Sequence, residues 1–173
     1  SAKMLIDAFM PEGITQLAVD SIFMMPQLGV LAHVDKKEFS EDARKAALEV
    51  FHKDCLIRLG TCITPVGKAK PGDTILNAVM TLSDGTIKEQ KLISGEIVRL
   101  EAPYKAIQAV LKPSKSMDIG GGKGQEIETN IFGGKVGLIF DGRDRPITIP
   151  ANQEERLESI RSWSDALNEY PKN

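Results

Sequence analysis

The sequence predicts an α+β fold, with an antiparallel β-rich barrel or sandwich core, a mixed helical N-terminal segment and a C-terminal helix. Three observations carry this. Runs rich in Val, Ile, Leu and Thr recur from residue 55 to 150, separated by Pro71-Gly72-Asp73, Ser83-Asp84-Gly85 and Ser94-Gly95-Glu96. Clear helical spacing of apolar residues falls towards the two ends. The 173 residues, 42% hydrophobic and 27% charged, suffice for one ordinary domain with a real core.

The segment 1–54 reads as helical and mixed. Ala2, Leu5, Ile6, Phe9 and Met10 lie at helical spacing, and Pro11-Glu12-Gly13 stops them. Ile14 to Val19 suits a short strand or a helical turn. Ile22 to Val34 is dense in large apolar residues and broken by Pro26, and the plain expectation is a packed core segment. The alternative is a contact surface for a neighbouring domain, formed by Phe23, Met24, Met25, Leu28, Val30 and Leu31. A helix over 41–53 follows from Ser40 as N-cap, Glu41 and Asp42 in the first turn, and an Ala43, Ala46, Ala47, Val50, Phe51 face.

The segment 55–150 is the β-rich domain. Expected strands run over 55–66, 74–82, 86–93, 97–100, 106–111, 125–132 and 136–140. Asp84-Gly85 between two alternating runs is the strongest hairpin signal in the chain. A second turn is expected at Asp141-Gly142-Arg143-Asp144, exposed and returning through an edge strand at Ile147 to Ile149, because Pro146 has no amide hydrogen to donate. The segment 151–173 holds the closing helix, with Asn152 and Glu155 as a capping pair and an apolar stripe of Leu157, Ile160, Trp163 and Leu167 before Pro171.

Chemistry-bearing motifs are sparse. Net charge is −2, so nothing calls for nucleic acid or an anionic membrane as partner. No apolar run approaches the ~20 residues that span a bilayer, and no secretory signal pattern opens the chain. Two cysteines make no disulfide framework, which points to the cytoplasm. Cys55 and Cys62 with His52 and His33 lack the short paired loops of a zinc site, and buried thiols are the simpler expectation. Two histidines assemble no Ser-His-Asp grouping, so no catalytic residue and no metal ligand is assigned. The turn Asp118-Ile119-Gly120-Gly121-Gly122-Lys123-Gly124 imitates an actin-like phosphate turn, but Lys123 stands where Ser or Thr is usual. A strand-like segment follows it, not a helix. Its glycines are expected to serve a tight corner, and an anion nest of Asp118, Gly120, Gly121, Gly122, Lys123 and Gly124 is the alternative, giving a free-standing small-ligand or anion-binding module.

One resemblance runs through most of the chain. Pro11 to Ile14, the run Ala18 to Leu31 with its Met24-Met25-Pro26, Asp54 to Gly67, and Phe132 to Pro146 resemble the C-terminal part of the MutL/GlmL family. These are accessory proteins of adenosylcobalamin-dependent mutases, such as glutamate mutase, and of aminomutases, within the actin-like ATPase superfamily. The resemblance covers about residues 11–150 and implies a reactivating chaperone whose ATP and Mg lie in an N-terminal region that precedes this piece. It implies that residues 1–54 continue from that ATPase body and that 55–150 is a docking or structural module with no cofactor of its own. Its partners would be the mutase and the ATPase body.

Overall fold

The computed structural model describes residues 2–34 and 40–168. Helix α1 (Ala2–Phe9) leads into strand β1 (Gly13–Asp20), which resolves the ambiguity over residues 14–19 in favour of a strand. Helices α2 (Met24–His33) and α3 (Glu41–Val50) follow, and a π-helical turn (Phe51–Cys55) feeds β2 (Leu56–Thr64). Next come β3 (Val66–Gly67), β4 (Thr74–Thr81), β5 (Ile87–Ile93), β6 (Ile97–Leu100) and β7 (Ala106–Pro113). The chain continues through β8 (Met117–Asp118), β9 (Ile127–Phe132), β10 (Gly137–Asp141) and α4 (Gln153–Ala166).

The α+β class holds, and among the described residues none of the three sheets closes into a barrel. One four-stranded sheet has the order β1-β2-β10-β6 and another β5-β4-β7-β9, with β3 and β8 pairing as a short ribbon. The pairs are antiparallel except β2 with β10, which run parallel. β1 arises from the segment 1–54, yet it shares a sheet with strands of 55–150.

Period two along the strands builds the layers. Leu138 and Phe140 of β10 and Ile63 of β2 pack with Ile75, Leu76, Ile107, Leu111 and Ile131 of the second sheet. Ile139 and Cys62, one residue out of phase, face the other way and pack with Ile6 of α1 and Trp163 and Leu167 near the end of α4. β10 is therefore buried on both faces and reads as a continuous apolar run, the pattern of a central strand. β2 and β10 approach so closely that a Cβ on Gly60 would meet the Gly137 carbonyl oxygen at 2.0 Å. The Asp84-Gly85 hairpin forms as expected: Gly85 N–H donates to Leu82 O at 2.9 Å, and Asp84 Oδ1 accepts from Thr86 N–H at 2.9 Å.

Four expectations are corrected. The segment 22–31 is not core: Phe23 is 78% and Val30 68% exposed, because α2 belongs to an excursion between β1 and β2 that stands away from both cores. The helix expected over 41–53 stops at Val50 and widens into the π-helical turn, which lets Phe51 and Cys55 turn inward. The turn at Asp141 to Arg143 is not exposed, since Asp141 and Arg143 are both buried. No strand forms at Ile147 to Ile149; Pro146 and Pro150 remove two donors from that stretch. In α4, Asn152 Oδ1 accepts from Glu154 N–H at 2.8 Å, and Trp163 and Leu167 are buried while Leu157 stays exposed. Pro171 lies outside the described residues.

Candidate functional site

The apolar surface begins at the end of β1. Asp20 is both the last strand residue and the acceptor that starts α2: its carboxylate takes Ile22 N–H at 3.2 Å and Met25 N–H at 2.8 Å. Those backbone bonds, Met25 foremost, hold the Asp20 carboxyl below its ordinary value against the opposing effect of desolvation. Ser21 ties the other side of the base, donating from its N–H and its hydroxyl to Cys55 O. Phe23 sits between them at φ 58°, a left-handed conformation that turns its ring outward from the helix start. No side chain described in α2 or α3 is buried. Of the six expected contact residues, Phe23, Met25 and Val30 are exposed and Met24, Leu28 and Leu31 are half-buried. Ile22 adds a fourth large exposed side chain to the patch.

The glycine turn has a different character. Asp118 Oδ1 accepts from Gly120 N–H at 2.7 Å and from Gly122 N–H at 3.0 Å, so the turn's own carboxylate occupies the amides that would cradle an anion. Gly124 N–H donates to Met117 O at 2.8 Å, closing the loop onto β8. Gly121 packs against Ile127, and Lys123 lies with Glu12, Gly13, Val66, Gly67, Asp118 and Gly120 around an open cavity of about 470 Å³. Two carboxylates and one ammonium make that cavity a poor host for phosphate.

Sequence reasoning missed a buried ionic cluster. Asp141 Oδ1 and Oδ2 accept from Arg143 Nε and Nη2, each at 2.9 Å, and Oδ2 also takes Arg145 Nη2 at 2.8 Å. Arg143 Nη1 lies 2.8 Å from Asp7 Oδ1 of α1, an ion contact made off the N–H axis, and Lys3 bonds the same carboxylate. Arg145 reaches Pro11 O at 3.1 Å and Thr64 Oγ1 at 3.3 Å. The Arg143 guanidinium sits 5.0 Å over the Trp163 ring, whose indole N–H donates to Gly95 O at 3.0 Å. Burial alone would raise the Asp141 carboxyl, but the Arg143 bond and charge, then Arg145, outweigh it and hold it below the ordinary range. The alternation carried a signal for this: Asp141 follows Ile139 by two, so it faces α1 and α4 with it. The cluster binds α1, β10 and α4 to one another and gives each of its three cations a neighbouring carboxylate, Asp7 or Asp141, which is structural work.

Cys62 and Cys55 are buried free thiols in separate surroundings. Burial pushes the Cys62 thiol up to about 12, well away from a reactive thiolate, and its contact with Thr64 Oγ1 at 3.5 Å does not reverse that. The side chain of His33 lies outside those described, and among the described residues no cluster of three or more His, Cys, Asp or Glu could hold a metal ion. Among the described residues no helix is long and apolar enough to cross a membrane. A last feature without a sequence signal is an open groove of about 600 Å³ beside the π-helical turn, between α3, the start of β2 and Tyr104. No family model, curated protein or solved structure matches the chain.

Proposed function

We propose that this chain is the docking module of an ATP-dependent reactivating chaperone for an adenosylcobalamin-dependent mutase, working in the cytoplasm. The observation that carries the docking role is the exposed Ile22–Val30 surface on an excursion whose base is pinned by Asp20 and Ser21. Four large apolar side chains held outward at the start of an anchored helix and along it suit a contact surface, because leaving them in water gains nothing for this fold. The nature of the parent protein rests on the MutL/GlmL-like runs at 11–14, 18–31, 54–67 and 132–146.

In this reading residues 22–31 meet a nucleotide-binding body that holds ATP and Mg elsewhere in the protein. Two nucleotide states of that body would be transmitted through the α2 contact to the β sheets, and differential binding of the partner would open it to release a damaged cofactor. In this reading the sheets serve as the lever, since β10 contributes to both cores, Leu138 and Phe140 to one and Ile139 to the other.

The test uses the intact chaperone and an inactivated mutase. Phe23→Asp with Val30→Gln should lower ATP-dependent rescue of turnover by about tenfold or more, since a carboxylate in an apolar junction costs several kcal/mol or forces it open. ATP hydrolysis by the same variant should stay near wild type. Rescue at the wild-type rate would overturn the junction at residues 22–31, and failure of wild-type protein to rescue any such mutase would overturn the chaperone assignment.

A further inference from the structure

β2 has two strand partners over only part of its length. Its ladder with β1 runs from Leu56 to Thr64, whereas its ladder with β10 begins at Gly60. Val136 N–H donates to Leu59 O at 2.7 Å, the last bond before the incoming chain leaves β2. Leu56, Ile57 and Arg58 therefore have β1 on one side and, among the described residues, no strand on the other, although the Gly134 backbone closes against the Arg58 and Leu59 carbonyls at the far end.

The groove of about 600 Å³ lies along this step and is lined by all three residues. Successive side chains of a strand point to opposite faces, so a groove touching three in a row follows the edge of the strand and not one face. An edge of this kind offers backbone donors and acceptors to one more strand. The opposing walls are His52 and Lys53 of the π-helical turn and Tyr104 of the β6–β7 connection. Among the described residues that line the groove, Lys53 and Arg58 stand with one acid, Glu49, and His52 adds polar N–H capacity. Arg58 is held in place, its guanidinium 4.5 Å over the Phe132 ring.

We infer that this notch receives an extended, acidic segment of a partner protein, added as a strand on the Leu56–Arg58 edge. Three residues of edge span roughly 10 Å, so backbone pairing supplies part of the grip. Carboxylates of the segment meeting Lys53 and Arg58 supply the selectivity. Tyr104, exposed at the rim, offers an amphipathic cover for the inserted strand. The inference rests on the docking reading for who supplies the segment, and the groove itself is testable without a mutase.

The probe is a peptide of about six residues, a common strand length, alternating valine and glutamate. Its lysine counterpart and a version N-methylated at alternate residues are the controls. Amide shifts of the protein and fluorescence anisotropy of the peptide are the readouts. The glutamate peptide should shift the amides of Leu56, Ile57 and Arg58. It should bind about tenfold or more tighter than the lysine peptide, and methylation should abolish binding because it removes backbone donors. Lys53→Glu, at an exposed position, should reduce affinity by a similar factor with the melting temperature unchanged. No binding at millimolar peptide, equal affinity for the lysine peptide, or shifts confined to residues 118–124 would each overturn the site while leaving the chaperone rescue test unaffected.

Discussion

Two segments of this chain exchange the places that their composition suggests. Asp141 to Arg145 carries four charges in five residues, yet Asp141 and Arg143 are buried. Ile22 to Leu31 is almost wholly apolar, yet its largest side chains face outward. The difference lies in partners. Asp141 ends a central strand whose phase points it at α1 and α4, and every charge arriving there meets an opposite one. The apolar segment leaves the sheet at Asp20 and rejoins it at Leu56, so no sheet face covers it. Burial follows topology and pairing, and composition only biases it.

The largest effect should come from breaking the buried side of that comparison. Asp141→Ala leaves Arg145 without its carboxylate and Arg143 with only Asp7, which Lys3 also shares, and a loss of about 3–5 kcal/mol is expected. Urea unfolding should show this as a much lower midpoint, or as failure to fold. A loss below about 1 kcal/mol, the range of exposed pairs, would mean that the cluster is solvated after all.

Acid should weaken the same cluster without mutation. The folded Asp141 carboxyl is depressed, so the stability it contributes is fully present above its unfolded value near ~3.9 and drains away as pH falls through the lower folded value. Urea midpoints of wild type should therefore fall steeply below about pH 4. Asp141→Asn, measured in parallel wherever it folds, should show a shallower slope. Equal slopes would assign the acid sensitivity to other carboxyls.

How much of this was legible in the sequence depends on the range of the interaction. Local signals worked: Ser40 caps α3 through Ala43 N–H, Asn152 caps α4, and Asp84-Gly85 turns the β4–β5 hairpin. These rest on bonds across two or three residues. The parallel pairing of β2 with β10 joins residues some eighty positions apart, and no local pattern announces it. The ionic cluster was half legible, since its period-two phase was present in Ile139 and Asp141 but its partner Asp7 is remote in sequence. For the functional surface, the residues were named correctly as apolar, but whether they lay inside or outside required knowing where the sheet ended.

The glycine turn offers a middle-sized test, because it is the region whose sequence invites a ligand reading. Asp118→Ala removes the acceptor for two backbone N–H groups of a half-buried turn, and about 1–2 kcal/mol of stability should go with it. The chain itself should give no heat of binding with Mg-ATP in calorimetry, because the amides are taken by Asp118 and no helix follows the turn. Micromolar ATP binding that vanishes in Asp118→Ala would restore the phosphate reading and displace the structural one.

The smallest expected effect belongs to the exposed side of the comparison, and it is the most discriminating for that reason. Phe23→Asp and Val30→Gln replace two large apolar residues that are 78% and 68% exposed. Asp accepts the left-handed backbone at position 23 about as well as any non-glycine residue, and Gln is a better helix former than Val. Each variant should therefore unfold within about 0.5 kcal/mol of wild type, the ordinary range for surface substitutions. Were either side chain packed in a core, its truncation or charging would cost roughly 2–5 kcal/mol. Losses of that size would return residues 22–31 to the interior and remove the observation on which docking rests. Unchanged stability together with lost rescue in the intact chaperone would instead separate the surface from the fold, since a residue that matters to a partner and not to its own chain is one that the chain keeps outside for the partner's use.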